Sequence, residues 1–276
     1  MANINHMLTI SNMEFERLCQ YIKRYYGINL YNKRNIIEGR LSGYILERGY
    51  KGFGEYLEKV FNDHTGKEIS FLVEKLTTNH TYFMREWEHF EYYKNKVLPY
   101  FSNILKERDL RVWSAGCSSG EEPYTLAMIN KDYFKGKGGA WDTKILATDI
   151  SDKVIAQGVK GVYTEENIKD LKPEWKREYL NNVGNGNYAI SDEIKKEVIF
   201  RSFNLMEQNF PFKKKFHVIF CRNVMIYFDT STKVKLINKF YESTEVGGYL
   251  FIGHSESLAY HNTNYKYIMP AVYRKE

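Results

Sequence analysis

The chain is short of the residues that staple, span or clasp phosphate. It has three cysteines among 276 residues. Cys19, Cys117 and Cys221 form no C-x-x-C and cannot all pair, so a reducing cytosol fits best. No apolar stretch approaches membrane-spanning length, and the N-terminus lacks one of signal-peptide length. No block of five like charges occurs, which argues against a nucleic-acid-binding tail. The net charge of +6 serves solubility or an acidic partner. The one literal G-x-G-x-x-A, Gly184–Ala189, follows a polar run and precedes a strand, so it reads as a turn.

Aromatics are abundant instead. With 23 Tyr and 17 Phe, many rings must sit at half-buried or binding surfaces. Residues 1–76 repeat apolar positions at helical spacing: Phe15, Leu18, Cys19, Ile22; then Ile37, Leu41, Ile45; then Phe53, Tyr56, Leu57, Val60; then Ile69, Leu72, Leu76. Gly27 and Gly49 stop the first two helices. Residues 77–107 form an aromatic-rich helical link into the second part. From 108 to 276 strands and helices alternate: 110–115, 121–134, 144–149, 152–157, 216–221, 233–243, 248–253 and a terminal strand or pair at 265–273. This predicts an α/β, Rossmann-like, doubly wound parallel sheet behind an all-α N-terminal domain. A helix and hairpin at about 161–200 interrupt the alternation as a small β-subdomain, with 198–203 open to rejoining the sheet.

The segment from Arg111 to Tyr124, RVWSAGCSSGEEPY, carries the most chemistry. An apolar run ends in a small-residue turn around Gly116, and Glu121 and Glu122 open the next helix. A strand–loop–helix of this kind brings a ligand onto backbone. A pyrophosphate favours a helix N-terminus because it is anionic, and two carboxylates there repel it. They suit hydroxyls or positive charge, as in S-adenosylmethionine with its ribose diol, ammonium and sulfonium. Asp149 ends the second strand, where a carboxylate either binds a ribose diol or caps the next helix. Arg222, Asn223 and Tyr227 follow the apolar strand 216–221, at the end of a sheet where ligands bind. A helix start accounts for Thr77 and Asn79, but not for Arg85 beside Tyr82 and Phe83. His254-Ser255-Glu256-Ser257 reads as a loop rather than a metal site, since no third ligand has suitable spacing. Cys117 and Cys221 read as small residues permitting close approach, not as catalytic thiols.

Together these segments resemble the CheR family, the S-adenosylmethionine-dependent methyltransferases of chemotaxis receptors. The likeness runs through Leu76–Glu86, Trp113–Tyr124, Ala147–Ser151, Asn204-Leu205, Ile219–Asp229 and Gly247–Leu258, in family order. The Thr-Thr-Asn…Phe-Met-Arg-Glu segment with Cys-Arg-Asn-Val-Met-Ile-Tyr-Phe is its most specific part. The chain departs from the family pattern at His80, where an acidic residue is common, and at Met84, where an aromatic is. The resemblance implies cofactor contacts at Asn79, Thr81, Arg85, Glu122, Asp149, Asn204, Leu205, Arg222 and Asn223, with Gly116 in the loop and no metal. It places Arg85 and Tyr227 near the transferred methyl as catalytic residues.

The implied reaction carries a methyl from S-adenosylmethionine to glutamate side chains of chemoreceptors, leaving S-adenosylhomocysteine. The enzyme would be cytoplasmic, held at receptor arrays through the receptor and without inserting into the membrane. The helical domain would dock the receptor's glutamate-rich helical bundle through Lys33, Arg34 and Arg40. In some members of that family the β-subdomain takes a tethering peptide from the receptor C-terminus by strand addition, and the sequence leaves open whether this chain does. Nucleic-acid amino methyltransferases need a Pro-Pro-aromatic segment and cytosine C5 enzymes a Pro-Cys pair; the chain has neither. A methyltransferase acting on a small molecule and a non-catalytic cofactor-sensing scaffold are the alternatives.

Overall fold

The computed structural model describes residues 7–77, 80–259 and 263–276. The chain divides into two compact units, residues 1–79 with 227–229, and residues 80–226 with 230–276.

The first unit contains helices α1 (Asn12–Tyr26), α2 (Arg34–Glu47), α3 (Phe53–Phe61) and α4 (Lys67–Leu76). Local sequence explains their ends. The Ser11 hydroxyl accepts from the Glu14 N–H, and the Glu14 carboxylate accepts from the Ser11 N–H, a reciprocal cap on α1. Gly27 closes the helix at φ 72°, and its N–H reaches Lys23 O. Phe15, Leu18, Cys19 and Ile22 face the unit's core, as their spacing predicts. Residues 227–229 complete this unit. Phe228 bridges Ile28 antiparallel, the Asn29 N–H donates to Tyr227 O at 2.8 Å, and Lys23 pairs with Asp229 at 2.7 Å.

The second unit begins with α5 (Trp87–Tyr92), a π-helical turn (Tyr93–Val97) and α6 (Leu98–Ile104). Then come β1 (Val112–Ala115), α7 (Glu121–Phe134), β2 (Ile145–Asp149) and α8 (Asp152–Lys160). The insert follows: β3 (Val162–Thr164), α9 (Pro173–Tyr179), β4 (Leu180–Gly184), β5 (Asn187–Ile190) and α10 (Asp192–Lys195). The chain then runs through β6 (Val198–Ser202), β7 (Phe216–Cys221), a 3-10 turn (Met225–Tyr227), α11 (Thr230–Ser243), β8 (Thr244–Ile252), β9 (Lys266–Met269) and β10 (Val272–Arg274).

The main sheet has the order β6-β2-β1-β7-β8-β10-β9. The first five strands are parallel, and β10 runs antiparallel to both β8 and β9. The sheet is therefore mixed rather than wholly parallel, because a tight turn at 270–271 can only return the chain antiparallel. Residues 198–202 do rejoin the sheet, beside β2. The central strands β1 and β7 are buried along their whole length, as parallel strands covered on both faces must be.

The insert is a three-stranded antiparallel sheet of order β3-β5-β4, one strand more than the expected hairpin. The strand overlooked is the three-residue Val162–Thr164, too short to show alternation. Gly184, Asn185 and Gly186 all have positive φ and make the β4–β5 turn. Asp132 on α7 anchors the insert, accepting from Trp175 Nε1 at 2.6 Å and from the Tyr179 hydroxyl at 2.7 Å.

Candidate functional site

Strand order reverses at β1, which lies between β2 and β7. Ligands of open α/β sheets bind beyond the carboxyl ends of strands at that place. Ala115, Asp149, Cys221 and Ile252 end β1, β2, β7 and β8. The loops after them hold most of the residues the sequence singled out.

The loop after β1 is fixed by its backbone. The N–H groups of Gly116 and Cys117 both donate to Thr148 O, at 2.7 and 2.9 Å. Gly116 sits at φ 84°, and a Cβ there would lie 2.3 Å from a methyl of Val224. Ser118 is left-handed at φ 49° and donates its N–H to Asp149 Oδ2 at 2.9 Å. Asp149 Oδ1 accepts from the Ser151 N–H at 3.1 Å. The cap of α8 is Ser151, whose side chain accepts from the Val154 N–H. Asp149 is thus not the helix cap; it orients the loop.

An ion-pair triad centred on a buried arginine lies beside this loop. Arg222 Nη1 donates to Glu122 Oε2 at 3.1 Å, and Nη2 reaches Glu86 Oε2 at 3.2 Å and the carbonyl of Arg85. The Arg222 side chain is 3% exposed. The Ser114 hydroxyl donates to Glu122 Oε1 at 2.7 Å. Asn223 Nδ2 and the His254 N–H complete the shell of Glu86, each at 3.2 Å. Met84, Glu86, Ser118 and Asn223 are all non-glycine residues at positive φ, a concentration of backbone strain typical of functional sites.

The two carboxylates on one guanidinium respond differently. Burial dominates at Glu122 and raises its carboxyl above the ordinary range, against the pull of Arg222 and Ser114. Burial also works to raise Glu86, but Arg222, Asn223 and the His254 N–H together bring it below that range. Burial pushes the Cys117 thiol up, and Asp149, Glu122 and Glu121 push it further. Burial, then Glu256 and Glu122, does the same at Cys221. Both remain thiols rather than nucleophilic thiolates.

The remaining expected contacts are placed as follows. Arg85 Nη1 donates to His80 O at 2.9 Å. Thr81 is half-buried. Asn204 and Leu205 lie in the turn after β6, which the Phe203 N–H ties to Asp149 O at 2.9 Å. Asn204 Oδ1 accepts from the Met206 N–H, and Leu205 is buried. Asn79 lies outside the described residues. Thr77 closes the C-terminus of α4, its hydroxyl donating to Val73 O at 2.9 Å, so it is not a helix start. Tyr227 belongs to the helical unit, with Lys33 Nζ 5.1 Å from its ring. Arg34 donates to Ile10 O and Asn12 Oδ1, and Arg40 Nη1 to the carbonyls of Lys75 and Thr77. Lys33 stands at the N-cap of α2, one residue outside the helix.

Three residues escaped sequence reasoning: Glu86, His89 and Glu256. The signal for Glu86 was its neighbour, since a buried arginine requires carboxylates. Glu86, His89 and His254 bring their ligand atoms within 4.8 Å of one another, so His254 has two partners in space that spacing did not reveal, and Glu256 is not one of them. Glu86 is already engaged by Arg222 and the His254 N–H, and a guanidinium at that distance repels a cation. Burial and Arg222 hold the His89 imidazole down to about 3, so it is neutral at physiological pH.

The donor set fits S-adenosylmethionine. Glu122 and Glu86 flank a single buried guanidinium, so carboxylates outnumber the cation there and suit sulfonium, ammonium and hydroxyl groups. Among the described residues Arg222 Nε is buried with no hydrogen-bond partner, a donor left for a ligand. Comparisons with known proteins agree. The family model described as "CheR methyltransferase, SAM binding domain" matches residues 79–273, and "CheR methyltransferase, all-alpha domain" matches residues 13–77. A chemotaxis protein methyltransferase of Borreliella burgdorferi is 43% identical over 99% of this chain and 97% of its own. The one from Escherichia coli K12 is 34% identical over 94% of this chain and 90% of its own. The chain belongs to the CheR methyltransferase family and is an S-adenosylmethionine-dependent methyltransferase.

Proposed function

We propose that the chain methylates glutamate side-chain carboxylates of chemoreceptors. The observation that carries this reading is the absence of need for a base, matched by the groups around the triad. A glutamate has an ordinary pKa of about 4.3 and is ionised at neutral pH. A carboxylate oxygen bonds to the methyl carbon, the carbon–sulfur bond breaks with its electrons going to sulfur, and no proton moves. His89 is neutral and buried, and Cys117 and Cys221 are held as thiols, so the site offers structure rather than proton transfer. Its task is alignment and exclusion of water.

Arg85 is the residue to orient the incoming carboxylate. Its backbone is pinned by Arg222, while its guanidinium is engaged only by a carbonyl, His80 O, among the described contacts. A fixed fork exchanging a carbonyl for a carboxylate gains a charge-assisted pair. Tyr227 is the second catalytic candidate. Asn79, Thr81, Gly116, Glu122, Asp149, Asn204, Leu205, Arg222 and Asn223 would hold the methyl donor and its product, S-adenosylhomocysteine. The helical unit would meet the receptor's glutamate-rich bundle through Lys33, Arg34 and Arg40. A tethering peptide would add to an outer strand of the three-stranded sheet, β3 or β4. No helix among the described residues is long and apolar enough to cross a membrane. Action in the cytoplasm at receptor arrays follows from that substrate.

The test is tritiated methyl transfer from S-adenosylmethionine to membranes carrying the organism's chemoreceptors. Base-labile label on the receptor band, lost in a folded Arg85→Ala variant, supports the reading. Calorimetric binding of S-adenosylmethionine with no label on receptors refutes it in favour of another substrate or a sensing scaffold.

A further inference from the structure

β7 and β8 are neighbours in register, Cys221 opposite Ile252, so the loops after them leave the sheet side by side. Asn223 in the first loop is left-handed at φ 58°. That conformation is uncommon for any residue with a side chain and is kept only where its surroundings enforce it. Two carboxylates do so. Glu256 Oε2 accepts from the Asn223 N–H at 3.0 Å and from the Gly253 N–H at 2.6 Å, and its Oε1 accepts from the Ile226 N–H at 3.1 Å. Glu256 is 8% exposed. It therefore fills a nest of backbone donors from both loops, the place an anionic ligand takes elsewhere. Glu86 grips the same residue by its side chain, Oε1 accepting from Asn223 Nδ2 at 3.2 Å. Gly253 permits the approach: a Cβ there would lie 2.4 Å from Nδ2 and 2.8 Å from the backbone nitrogen of Asn223.

We propose that Glu86 and Glu256 form a two-carboxylate clamp that presents the Asn223 amide to the cofactor, which makes both of them positioning residues. The proposal rests on the assignment of Asn223 to the cofactor site. An ionised carboxylate only accepts, so the amide NH2 must face Glu86, and the amide oxygen Oδ1 is what remains for a ligand. The ligand group it suits is an N–H or O–H donor, not an anion. The main-chain grip of Glu256 sets where the amide sits, and the side-chain grip of Glu86 sets which way it faces. Loss of either frees the amide, so the second loss adds little.

The experiment is calorimetry with S-adenosylhomocysteine on the full chain and its Asn223→Ala, Glu86→Gln, Glu256→Gln and Glu86→Gln/Glu256→Gln variants. Asn223→Ala should weaken binding about 10-fold or more, the effect of one lost hydrogen bond to a polar ligand. Each single glutamine variant should do the same, and the double variant should be within about 3-fold of the weaker single, since coupled sites are not additive. In steady-state methyl transfer, KM for S-adenosylmethionine should rise while kcat changes little. Trp175→Phe, which weakens the insert's anchor, serves as a stability control and should leave binding unchanged. Unchanged binding by Asn223→Ala overturns the site assignment beneath the proposal. Weakened binding by Asn223→Ala with wild-type binding by Glu256→Gln, or single losses that multiply in the double variant, overturns the clamp itself.

Discussion

Arg222 and Glu122 are a hundred positions apart in sequence and 3.1 Å apart in the fold, in an ion pair that a second carboxylate, Glu86, shares from the other side. The guanidinium fork makes this possible, since its two terminal nitrogens serve different acidic partners at once. Arg222→Lys should therefore not be conservative. A single ammonium cannot span both carboxylates, and S-adenosylhomocysteine affinity should fall about 10-fold or more by calorimetry. Arg222→Met leaves two half-buried carboxylates without a cation and should cost about 2–4 kcal/mol in urea unfolding, somewhat less than for a fully buried pair.

Asp149 places both oxygens on backbone N–H groups, those of Ser118 and Ser151. Asp149→Asn can accept through only one oxygen, and its NH2 faces the other donor. An unsatisfied buried N–H costs about 1–3 kcal/mol. Equilibrium unfolding should show that loss, and S-adenosylhomocysteine binding should weaken at least about 10-fold. Undiminished binding would remove Asp149 from the cofactor site.

Gly120 opens α7 at φ 99°, and a Cβ there would lie 3.0 Å from both Phe200 Cζ and the Tyr163 hydroxyl. Gly120→Ala combines left-handed strain with overpacking and should destabilise the fold by about 2–4 kcal/mol. Tyr163→Phe removes only the hydroxyl that donates to Ser119 O at 2.6 Å. Its expected cost is about 1 kcal/mol. Thermal unfolding of the two variants should differ by that margin.

His217 makes the protein acid-sensitive. Its Nδ1 accepts from the Arg111 N–H at 3.0 Å, so it must be neutral there, and burial with the nearby Arg111 charge lowers its pKa to about 4. An unfolded histidine titrates near 6.5, so between about 6.5 and 4 the unfolded chain binds the extra proton. The stability this group contributes is present above pH 6.5 and lost as pH falls toward 4. His217→Asn keeps an acceptor at the Nδ1 position and does not titrate. Urea unfolding from pH 7 to 4.5 should show a shallower decline for that variant than for the wild type.

Much of the architecture was legible because its code is local. The helices of residues 12–76 follow the apolar spacing, and α7 and β7 match the expected segments residue for residue. What stayed hidden lacked a local signature. Val162–Thr164 is too short to alternate, and the antiparallel return of β10 depends on a Pro270-Ala271 turn that lacks the glycine or asparagine usual in tight hairpins. In the site, the sequence indicated Glu122, Arg222 and Asn223 but not the acids that hold them. Glu86 sits in the Phe-Met-Arg-Glu motif beside the more conspicuous Arg85, and Glu256 in a loop whose local sequence carries no signal.

The sequence by itself determined the helical first unit, the strand–helix alternation, the phosphate-averse loop at Gly116–Glu122 and the family. Periodicity, glycine caps and contiguous motifs carry that information within a few residues. Only the tertiary structure decided which acids share Arg222, that Glu256 fills a backbone nest from two loops, and that Tyr227 packs with the helical unit. Those facts depend on strand order and register, which bring residues separated by 33 to 137 positions within hydrogen-bond reach. No local rule of spacing expresses such a pairing, because the sheet must form before the partners exist.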